Sequence, residues 1–599
     1  MKISKFYSNQ PTIFEPINFT QGLNVILAEI RLPENRKKDT HNLGKTTLGR
    51  LLDFGFLSRS DQKFFLLKHY DLFKNFIFFL EIELTDTSYI TVRRSVENPS
   101  KISIKKHETK HQDFSGLEQS AWDHWEIPFE RTRKLLNSLL DWHGLEPRDY
   151  RKGLGYQIRT QNDFQDVFQL GKFAAGKHLY WKPFMAHILG FNAQIIKSHY
   201  EKEEEIKTKV NQENTIKSEL GGGKIEDISK IDGMLLLKTE DAKKKKKLLD
   251  EFDFRVEDLE KTKLLIDEVD FEIATLNSRR YSLNQNRKKI LSSLQDGLIL
   301  FKTDEAQRLF QEAGVLFSGQ IKKDFEQLIA FNQAITQERR VYLQSEYNDI
   351  ETELQSVNAD LNTFGKRRSE ALSFLSSTDI FEKYKQVSDD LVTTKAEIIS
   401  LSLKRDFFHR LQDLRSEIRK LTEEKNSLQV QIENDVEKQN GDTGSFFSSI
   451  RLYFSEIIEE VIDRKALLSV SPNSEGHLEF KAEILDDSGN TTSADLGNSY
   501  RKLLCIAFDL AILRANTNVR FPRFVYHDGV FESLDDRKKE NLLSVLHTYV
   551  GYGIQSIITT IDTDLPPREI SNPVFDSSEI VLTLHDENEQ GRLFKMKSW

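Results

Sequence analysis

The stretch LQSEYNDIETELQSVNADLNTF, residues 343–364, decides how the middle of this chain folds. Its apolar residues recur at alternating spacings of four and three: Leu343, Tyr347, Ile350, Leu354, Val357, Leu361 and Phe364. This is the a and d seam of a coiled coil. Two further stretches fit the same frame: Leu259, Ile266, Val269, Ile273, Leu276, Leu283 and Ile290, then Leu411, Leu414, Ile418, Leu421, Leu428 and Ile432, with Lys425 in one seam position. A globular helical domain with a 3.6-residue period is the alternative.

The proline distribution supports long helices. All 12 prolines lie outside residues 184–471, and four of the five tryptophans lie between 122 and 181. Because proline interrupts helix interiors, a long charged stretch without it predicts extended helices rather than a row of globular domains. The clustered residues Gly297, Gly314 and Gly319 predict a reversal near 297–325. Gly221–Gly223 and Gly365 are expected to interrupt the two arms.

Composition excludes several classes of protein. The single cysteine, Cys505, forbids an intrachain disulfide and a multi-cysteine zinc site, and we expect it in a core. No signal peptide is visible at the N-terminus, and the apolar window 64–84 carries too many charges for a membrane span. We therefore expect a cytoplasmic chain without a membrane partner.

The net charge of −9 does not indicate a protein that binds nucleic acid over its whole surface. The run Lys243–Lys247 is either a solvated face or a contact for a phosphate backbone.

The two ends of the chain have mixed α/β patterns, which predict three domains: 1–190, 191–445 and 446–599. The predicted strands are Leu23–Leu27, Phe76–Leu84, Tyr89–Val96, Ala466–Val470, His477–Ile484, Phe524–His527 and Ser556–Thr560, with an apolar-striped helix at Thr46–Phe56.

The segment DTHNLGKTT, residues 39–47, lies between a predicted strand and a predicted helix. Amides at a helix N-terminus bind phosphate, Lys45 would neutralise β/γ-phosphate charge, and the Thr46 hydroxyl would ligate Mg²⁺. Asp39 stands where such loops usually have their first glycine, and a plain helix start is the alternative. The predicted nucleotide-binding residues are Asn42, Leu43, Gly44, Lys45, Thr46 and Thr47.

The segment RFVYHD, residues 523–528, is an apolar strand that ends in an acid. This is typical of a Walker B strand, and we predict that Asp528 holds Mg²⁺. ABC-type ATPases usually place the catalytic glutamate next, where this chain has Gly529. Glu532 is the candidate for the base that positions water, and a solvated loop glutamate is the alternative.

Two further motifs follow the same logic. The turn Gly497-Asn498-Ser499 before a predicted helix stands where ABC-type ATPases have the signature that binds the γ-phosphate of the opposite subunit's nucleotide. An ordinary N-cap is the alternative.

Gln161 is the candidate for the glutamine that senses magnesium and water, and Gln157 competes for that role. The residues Thr559, Thr560 and Asp562 stand where a switch histidine is expected.

A phosphate loop, a long coil, a signature and a Walker B strand, in this order, resemble the SMC-like ATPases. The resemblance implies an α/β ABC-type ATPase head assembled from N- and C-terminal lobes, with a long antiparallel α-helical coiled-coil insertion. It implies ATP and Mg²⁺ as cofactors, with Mg²⁺ held by Thr46, Gln161 and Asp528. It also implies a head-to-head homodimer in which Lys45 and Asp528 of one head face Ser499 of the other. The coil has no Cys-x-x-Cys zinc hook.

A narrower resemblance rests on the phosphate loop together with FQEAGV at 310–315, AFDLA at 507–511 and HDG at 527–529. These segments are similar to the ATPase of bacterial ABC three-component systems, which overlap the Lamassu-type antiphage defence systems. This resemblance implies sensing of foreign DNA, control of an effector subunit such as a nuclease, and a small accessory subunit. Two alternatives stay open: an ATP-gated scaffold with little hydrolysis, which Gly529 motivates, and a DNA-repair ATPase that works with a separate nuclease.

Overall fold

The computed structural model describes residues 1–35, 43–59, 62–85, 87–173, 176–219, 228–251, 259–295, 319–373, 379–486, 488–492, 497–566, 573–597 and 599. By their contacts they form two units, residues 1–203 with 424–599, and residues 204–423. The domain boundaries predicted from the sequence stay a prediction.

The helices and strands are numbered in chain order. The strands are β1 Lys2–Ser8, β2 Ile17–Asn18, β3 Leu23–Glu29, β4 Ile77–Thr85, β5 Ser88–Ser95, β6 Lys101–His107, β7 His124–Pro128, β8 Ile158–Arg159, β9 Ala466–Pro472, β10 Leu478–Ile484, β11 Phe524–His527, β12 Gln555–Ile561 and β13 Ile580–His585. The α-helices are α1 Lys45–Gly55, α2 Phe65–Lys68, α3 Tyr70–Phe73, α4 Phe129–Leu140, α5 Tyr150–Gln157, α6 Lys182–Ile188, α7 Ala193–Glu219, α8 Ile228–Asp250, α9 Leu259–Gln295, α10 Gly319–Ser373, α11 Asp379–Gly441, α12 Phe446–Ile462, α13 Asn498–Ala515 and α14 Asp536–Gly551.

Two large sheets and a hairpin make up the strands of the first unit. An antiparallel sheet has the order β2-β1-β4-β5-β6-β7, and a sheet of five parallel strands has the order β13-β3-β12-β11-β8. The strands β9 and β10 pair as the hairpin. Each strand predicted from the sequence overlaps a strand of the structure, and α1 matches the predicted helix.

The parallel sheet combines strands from both ends of the sequence. β3 pairs with β12 on one side and with β13 on the other. The Gln555 side chain also ties this sheet to β1, because it accepts from the Ile3 amide at 2.9 Å and donates to the Ile3 carbonyl at 2.7 Å. α1 lies close to β11, since a Cβ on Gly49 would stand 2.7 Å from the Tyr526 ring. The absence of a side chain at Gly49 therefore lets helix and strand approach.

The second unit is helical, and its helices run antiparallel. In α9 and α10 the pairs Arg279–Glu353 and Arg368–Asp270 advance in opposite directions along the two helices. The apolar cluster between them is built from seam positions: Leu283, Ile290, Ile350, Leu354 and Val357. All predicted seam residues whose side chains are described are buried or half-buried. The heptad prediction is therefore confirmed for these helices.

Several predictions for the helical part have a different outcome. Gly365 does not interrupt an arm, since α10 runs through it. Helix formation over the flanking residues outweighs the cost of about 1 kcal/mol for one glycine in a helix. Gly221–Gly223 and residues 297–318 of the predicted reversal lie outside the described residues, while 319–325 begin α10.

The basic run pairs with nearby acids, and the lone cysteine lies in a core. Lys243, Lys245 and Lys247 pair with acids on their own helix or just beyond it. These pairs favour the interpretation of the lysine run as a solvated face.

Cys505 is fully buried in α13, as expected of a core residue, and burial raises its thiol pKa to about 12. Among the described residues, no helix is both long and apolar enough to cross a membrane.

Candidate functional site

The first candidate residues lie at the start of α1. Gly44 caps this helix with φ +106°, a left-handed conformation that glycine adopts readily. A Cβ there would stand 2.6 Å from the Leu593 Cβ, so the C-terminal segment packs directly on the loop. The Leu593 amide also donates to the Leu43 carbonyl at 2.9 Å. Residues 39–42, and with them Asn42, lie outside the described residues. Thr47 is half-buried in the first turn of α1.

The carboxylate of Asp528 lies at the carboxyl end of β11 and is fully buried. One oxygen accepts from the Thr46 hydroxyl at 2.6 Å, and the other accepts from the Thr559 hydroxyl at 2.6 Å. Thr559 in turn accepts from the Gly529 amide at 2.9 Å. Three segments that are distant in sequence therefore meet at one carboxylate. In the sequence, Thr559 stands where a switch histidine is expected.

The ammonium of Lys45 lies among carboxylates. Burial lowers the pKa of Lys45, and the charges of Glu532, Asp528 and Asp564 oppose that shift. Burial likewise raises the pKa of Asp564, and the charge of Glu532 adds to it, while Lys45 acts the other way. The main chain of Lys45 is fixed by the Tyr526 hydroxyl, which donates to its carbonyl at 2.7 Å. A cation and several acids thus share one partly desolvated space.

Glu532 lies beside this space and joins two other elements. One oxygen of its carboxylate accepts from the Gln161 side-chain amide at 2.9 Å. The other is 3.2 Å from the Lys502 ammonium, which also donates to the Gly529 carbonyl at 2.7 Å. The structure therefore brings Gln161 and Glu532 together as a pair. Lys502, on the second turn of α13, was missed, although a lysine that precedes the apolar run 503–508 marks it.

The presence of glycine at position 529 has a geometric explanation. Its φ is +68°, and a Cβ placed on it would stand 2.6–2.9 Å from the carboxylate atoms of Glu532. The Glu532 carboxylate thus occupies the space into which a side chain of residue 529 would extend. A carboxylate therefore lies where the side chain of the usual glutamate would begin. It belongs to Glu532, which is three positions later in the chain.

A buried arginine holds the glutamine segment against α13 and β11. Arg159 is fully buried and forms a two-point contact with Asp509, at 2.6 and 3.0 Å. It also donates to the backbone carbonyls that follow Gln161: Asp163, Asp166 and Val167. His527 lies 3.1 Å from the same aspartate. Burial lowers the pKa of Arg159, but Asp509 outweighs this and raises it overall.

The remaining predicted residues are placed as follows. Gly497 and Asn498 are exposed at the start of α13, and the Ser499 hydroxyl donates to the Ser533 carbonyl at 3.1 Å. This contact links the predicted signature to the turn that carries Glu532. Gln157 is buried in α5 beside a small cavity rather than next to Glu532. Of the two competing glutamines, Gln161 is the one at the site.

The donor set fits a nucleotide with Mg²⁺. Magnesium prefers oxygen ligands, and the Thr46 hydroxyl and Asp528 carboxylate lie within 2.6 Å of each other at the N-terminus of α1. Because Thr46 donates its proton to Asp528, the lone pairs of its oxygen stay available. The Lys45 ammonium and the α1 N-terminus both favour phosphate groups. The residues present therefore match the chemistry of a phosphate–metal complex.

Comparisons with known proteins give limited matches. A family described as "Uncharacterised protein conserved in bacteria (DUF2326)" matches residues 457–598, a range that contains Lys502, Asp528 and Glu532. No curated protein matches the chain.

Among solved structures, the chain is similar to two archaeal Smc head domains. The head domain with a coiled coil and joint from Pyrococcus yayanosii has 14% identity and a TM-score of 0.33, covering 94% of this chain and 92% of that one. The head domain with an extended coiled coil from Pyrococcus furiosus, bound to the C-terminal domain of ScpA, has 13% identity and a TM-score of 0.35, with coverages of 94% and 90%. These scores give no residue-by-residue correspondence, so the roles of Lys45, Thr46 and Asp528 rest on the geometry of the site.

Proposed function

We propose that this chain is an SMC-like ATPase that binds ATP with Mg²⁺ through Lys45, Thr46 and Asp528. One observation carries the proposal: the Thr46 hydroxyl, at a helix N-terminus, bonds the buried Asp528 carboxylate at 2.6 Å. A metal–phosphate site uses this pair of oxygen donors, a hydroxyl at the helix N-terminus and a carboxylate at a strand end.

Each residue has a distinct task in this proposal. Lys45 binds the β- and γ-phosphates, and Thr46 and Asp528 hold the metal, which supplies charge neutralisation when bound. Glu532 takes the place of the usual glutamate, positions water, and accepts its proton at a carboxylate oxygen. Gln161 orients Glu532 through the 2.9 Å contact. Gly497, Asn498 and Ser499 serve the nucleotide of a second head in a homodimer.

The first test concerns nucleotide binding. Lys45→Ala removes the cation that binds the phosphates, so the affinity for ATP should fall at least about tenfold when measured by calorimetry. Lys74→Ala is the matched control, since Lys74 is exposed and pairs with the exposed Asp71, away from the site. Wild-type affinity in Lys45→Ala would overturn the proposal.

The second test concerns hydrolysis. Glu532→Gln keeps the shape of the side chain but removes the base, and turnover should fall about 10²–10⁴-fold while ATP binding persists. Glu540→Gln, on α14, controls for a general effect of removing an acid. Unchanged turnover in Glu532→Gln would reject Glu532 as the base.

A second candidate function is an ATP-gated scaffold with little hydrolysis. It is favoured by the contacts of Glu532, because the Lys502 ammonium at 3.2 Å and the Gln161 amide at 2.9 Å already occupy both oxygens that would act on water. Steady-state turnover with and without DNA separates the two functions. DNA-stimulated turnover that disappears in Glu532→Gln would exclude the scaffold.

The biological role that we propose is cytoplasmic defence against foreign DNA, in which the ATPase controls an effector subunit such as a nuclease and works with a small accessory subunit. Its support is the sequence resemblance to the Lamassu-type systems. Copurification with the products of neighbouring genes, with masses measured in the presence and absence of ATP, tests it. A repair nuclease as the sole copurifying product would favour the DNA-repair alternative.

A further inference from the structure

A second cluster of ligating side chains lies where α7 meets the hairpin of β9 and β10. Ligand atoms of Glu203, Glu475 and His477 all lie within 4.8 Å of one another. One ring nitrogen of His477 is 2.9 Å from a Glu203 oxygen, and the other is 3.5 Å from a Glu475 oxygen. In a tetrahedral zinc site with bonds of about 2.0–2.2 Å, ligand atoms lie about 3.4 Å apart. The two contacts are close to that spacing, but they involve opposite nitrogens of the His477 ring, and only one of these nitrogens can bind the same ion.

The hairpin turn is fixed by its own hydrogen bonds. The Asn473 side-chain oxygen accepts from the amides of Glu475 and His477, both at 3.0 Å. Gly476 between them has φ +81°, which a glycine allows without strain. The His477 ring is further stacked on Tyr200, with ring centres 4.7 Å apart. Two candidate ligands are therefore held in place by the turn and by an aromatic ring.

The second, independent observation is His199. It lies one turn before Glu203 on α7 and is completely buried, yet neither ring nitrogen has a hydrogen-bond partner among the described residues. Its Nε2 would stand 3.1 Å from a Cβ on Gly476, so this nitrogen faces the turn between Glu475 and His477. A buried polar group without a partner is costly, and a ligand role would remove that cost.

The charges around the cluster allow a cation. Lys425 lies 4.0 Å from one oxygen of Glu203, which leaves the other oxygen beside His477. Glu475 is largely exposed and opens the cluster to solvent, which gives an ion a path of entry. Two histidines with two carboxylates suit zinc better than magnesium or calcium, which prefer oxygen ligands alone.

We propose that Glu203, Glu475 and His477, whose ligand atoms lie within 4.8 Å of one another, form a zinc site that joins α7 to the β9–β10 hairpin, with the neighbouring His199 turning toward the ion as a fourth ligand. One ring nitrogen of His477 binds the ion. The other ring nitrogen donates to the carboxylate oxygen of Glu203 or Glu475 that lies beside it, as ligating histidines usually do. The site is separate from the proposed nucleotide site and uses none of its residues.

The test is zinc binding by the full chain without a histidine tag, after dialysis against a chelator. We expect one Zn²⁺ per chain by calorimetry and elemental analysis, unaffected by millimolar Mg²⁺. Glu475→Gln, at an exposed position that folding tolerates, should weaken Zn²⁺ binding at least about tenfold. Glu203→Gln combined with His477→Ala should abolish it.

Matched controls separate this site from other histidines and from the nucleotide site. His547→Ala removes an exposed histidine that pairs with Glu579 at 3.2 Å, and should bind Zn²⁺ as the wild type does. Lys45→Ala should also keep Zn²⁺ binding, so loss of ATP binding and loss of zinc binding can be told apart. No Zn²⁺ binding by the wild type, or full binding by the double variant, would overturn the proposal.

Discussion

Arg159 in the α/β unit is fully buried, and the side chain of Arg368 in the helical unit is 12% exposed; each pairs with a buried aspartate, but the two arginines contact different groups. The guanidinium of Arg159 donates hydrogen bonds to Asp509 and to the backbone carbonyls of one loop. Arg368 contacts only side chains: Asp270 at 2.7 Å, Ser388 at 2.7 Å, and Asp389. The first arginine fixes a backbone segment at a site, whereas the second joins three helices and so specifies their register.

The largest effect is expected from Arg159→Leu. It leaves the Asp509 carboxylate buried without its cation, which costs about 3–5 kcal/mol. Chemical denaturation should show this loss, or the chain should fail to fold. Combining it with Asp509→Leu should restore much of the stability but not the position of Gln161. A double variant no more stable than the single one would contradict the coupling.

Arg368→Leu should cost less, about 1–3 kcal/mol, because Asp270 keeps the Ser388 hydroxyl at 2.9 Å as a partner. Burial already raises the pKa of Asp270, and Arg368 opposes that shift. In the variant the folded-state pKa rises further above its unfolded value. The folded chain then binds more protons, so stability recovers as pH falls through the folded-state pKa toward the ordinary value of 3.8. Urea midpoints across this range measure it, and a loss that grows with acidity would contradict the account.

The two units also use glycine differently, and Gly529→Ala exposes the difference. The new methyl would meet the Glu532 carboxylate within 2.9 Å at φ +68°, so about 1–2 kcal/mol of stability should be lost. ATP turnover should fall more than ATP affinity, because Glu532 is displaced while Lys45 stays. Equal losses in both measurements would mean that the substitution disturbs the whole site.

The smallest effect, of opposite sign, is expected from Gly365→Ala. This glycine lies inside α10 with open space around its α-carbon. Alanine in a helix interior should raise the free energy of unfolding by about 0.5–1 kcal/mol. Thermal denaturation followed by circular dichroism measures it, and a lower melting temperature would imply that Gly365 is needed for a local bend.

Local patterns in the sequence predicted the elements well. The heptad residues of α9 and α10 and the strand Leu23–Leu27 follow from short-range periodicity, which the backbone imposes directly. The interruption predicted at Gly365 was wrong, because one unfavourable residue does not outweigh the packing of a long helix. The proximity of Thr46 and Asp528 followed from the order of motifs rather than from any local pattern.

The parts of the site that escaped prediction are long-range polar contacts. Asp509 interrupts the apolar run 503–513, which signals a buried charge, but Arg159 stands among polar residues, and nothing in the sequence says that the two residues pair with each other. Lys502 is similar, because Glu532 was predicted as a candidate base, with a solvated loop glutamate as the alternative, and no local pattern pairs the two residues. The cluster around His477 escaped for the same reason, since His199 on α7 is far from it in sequence.

The position of β3 has a consequence for how this protein is made. Both of its neighbours, β12 and β13, are translated only after the ribosome has passed Gln555. At about 5–20 residues per second, β3 waits on the order of a minute without a partner. During that time its apolar edges are open to wrong pairing, and residues 204–423 are made before the neighbouring strands of β3 exist. Nascent chains stalled before residue 555 should therefore be protease-sensitive at the N-terminus, and chaperone binding is expected there first.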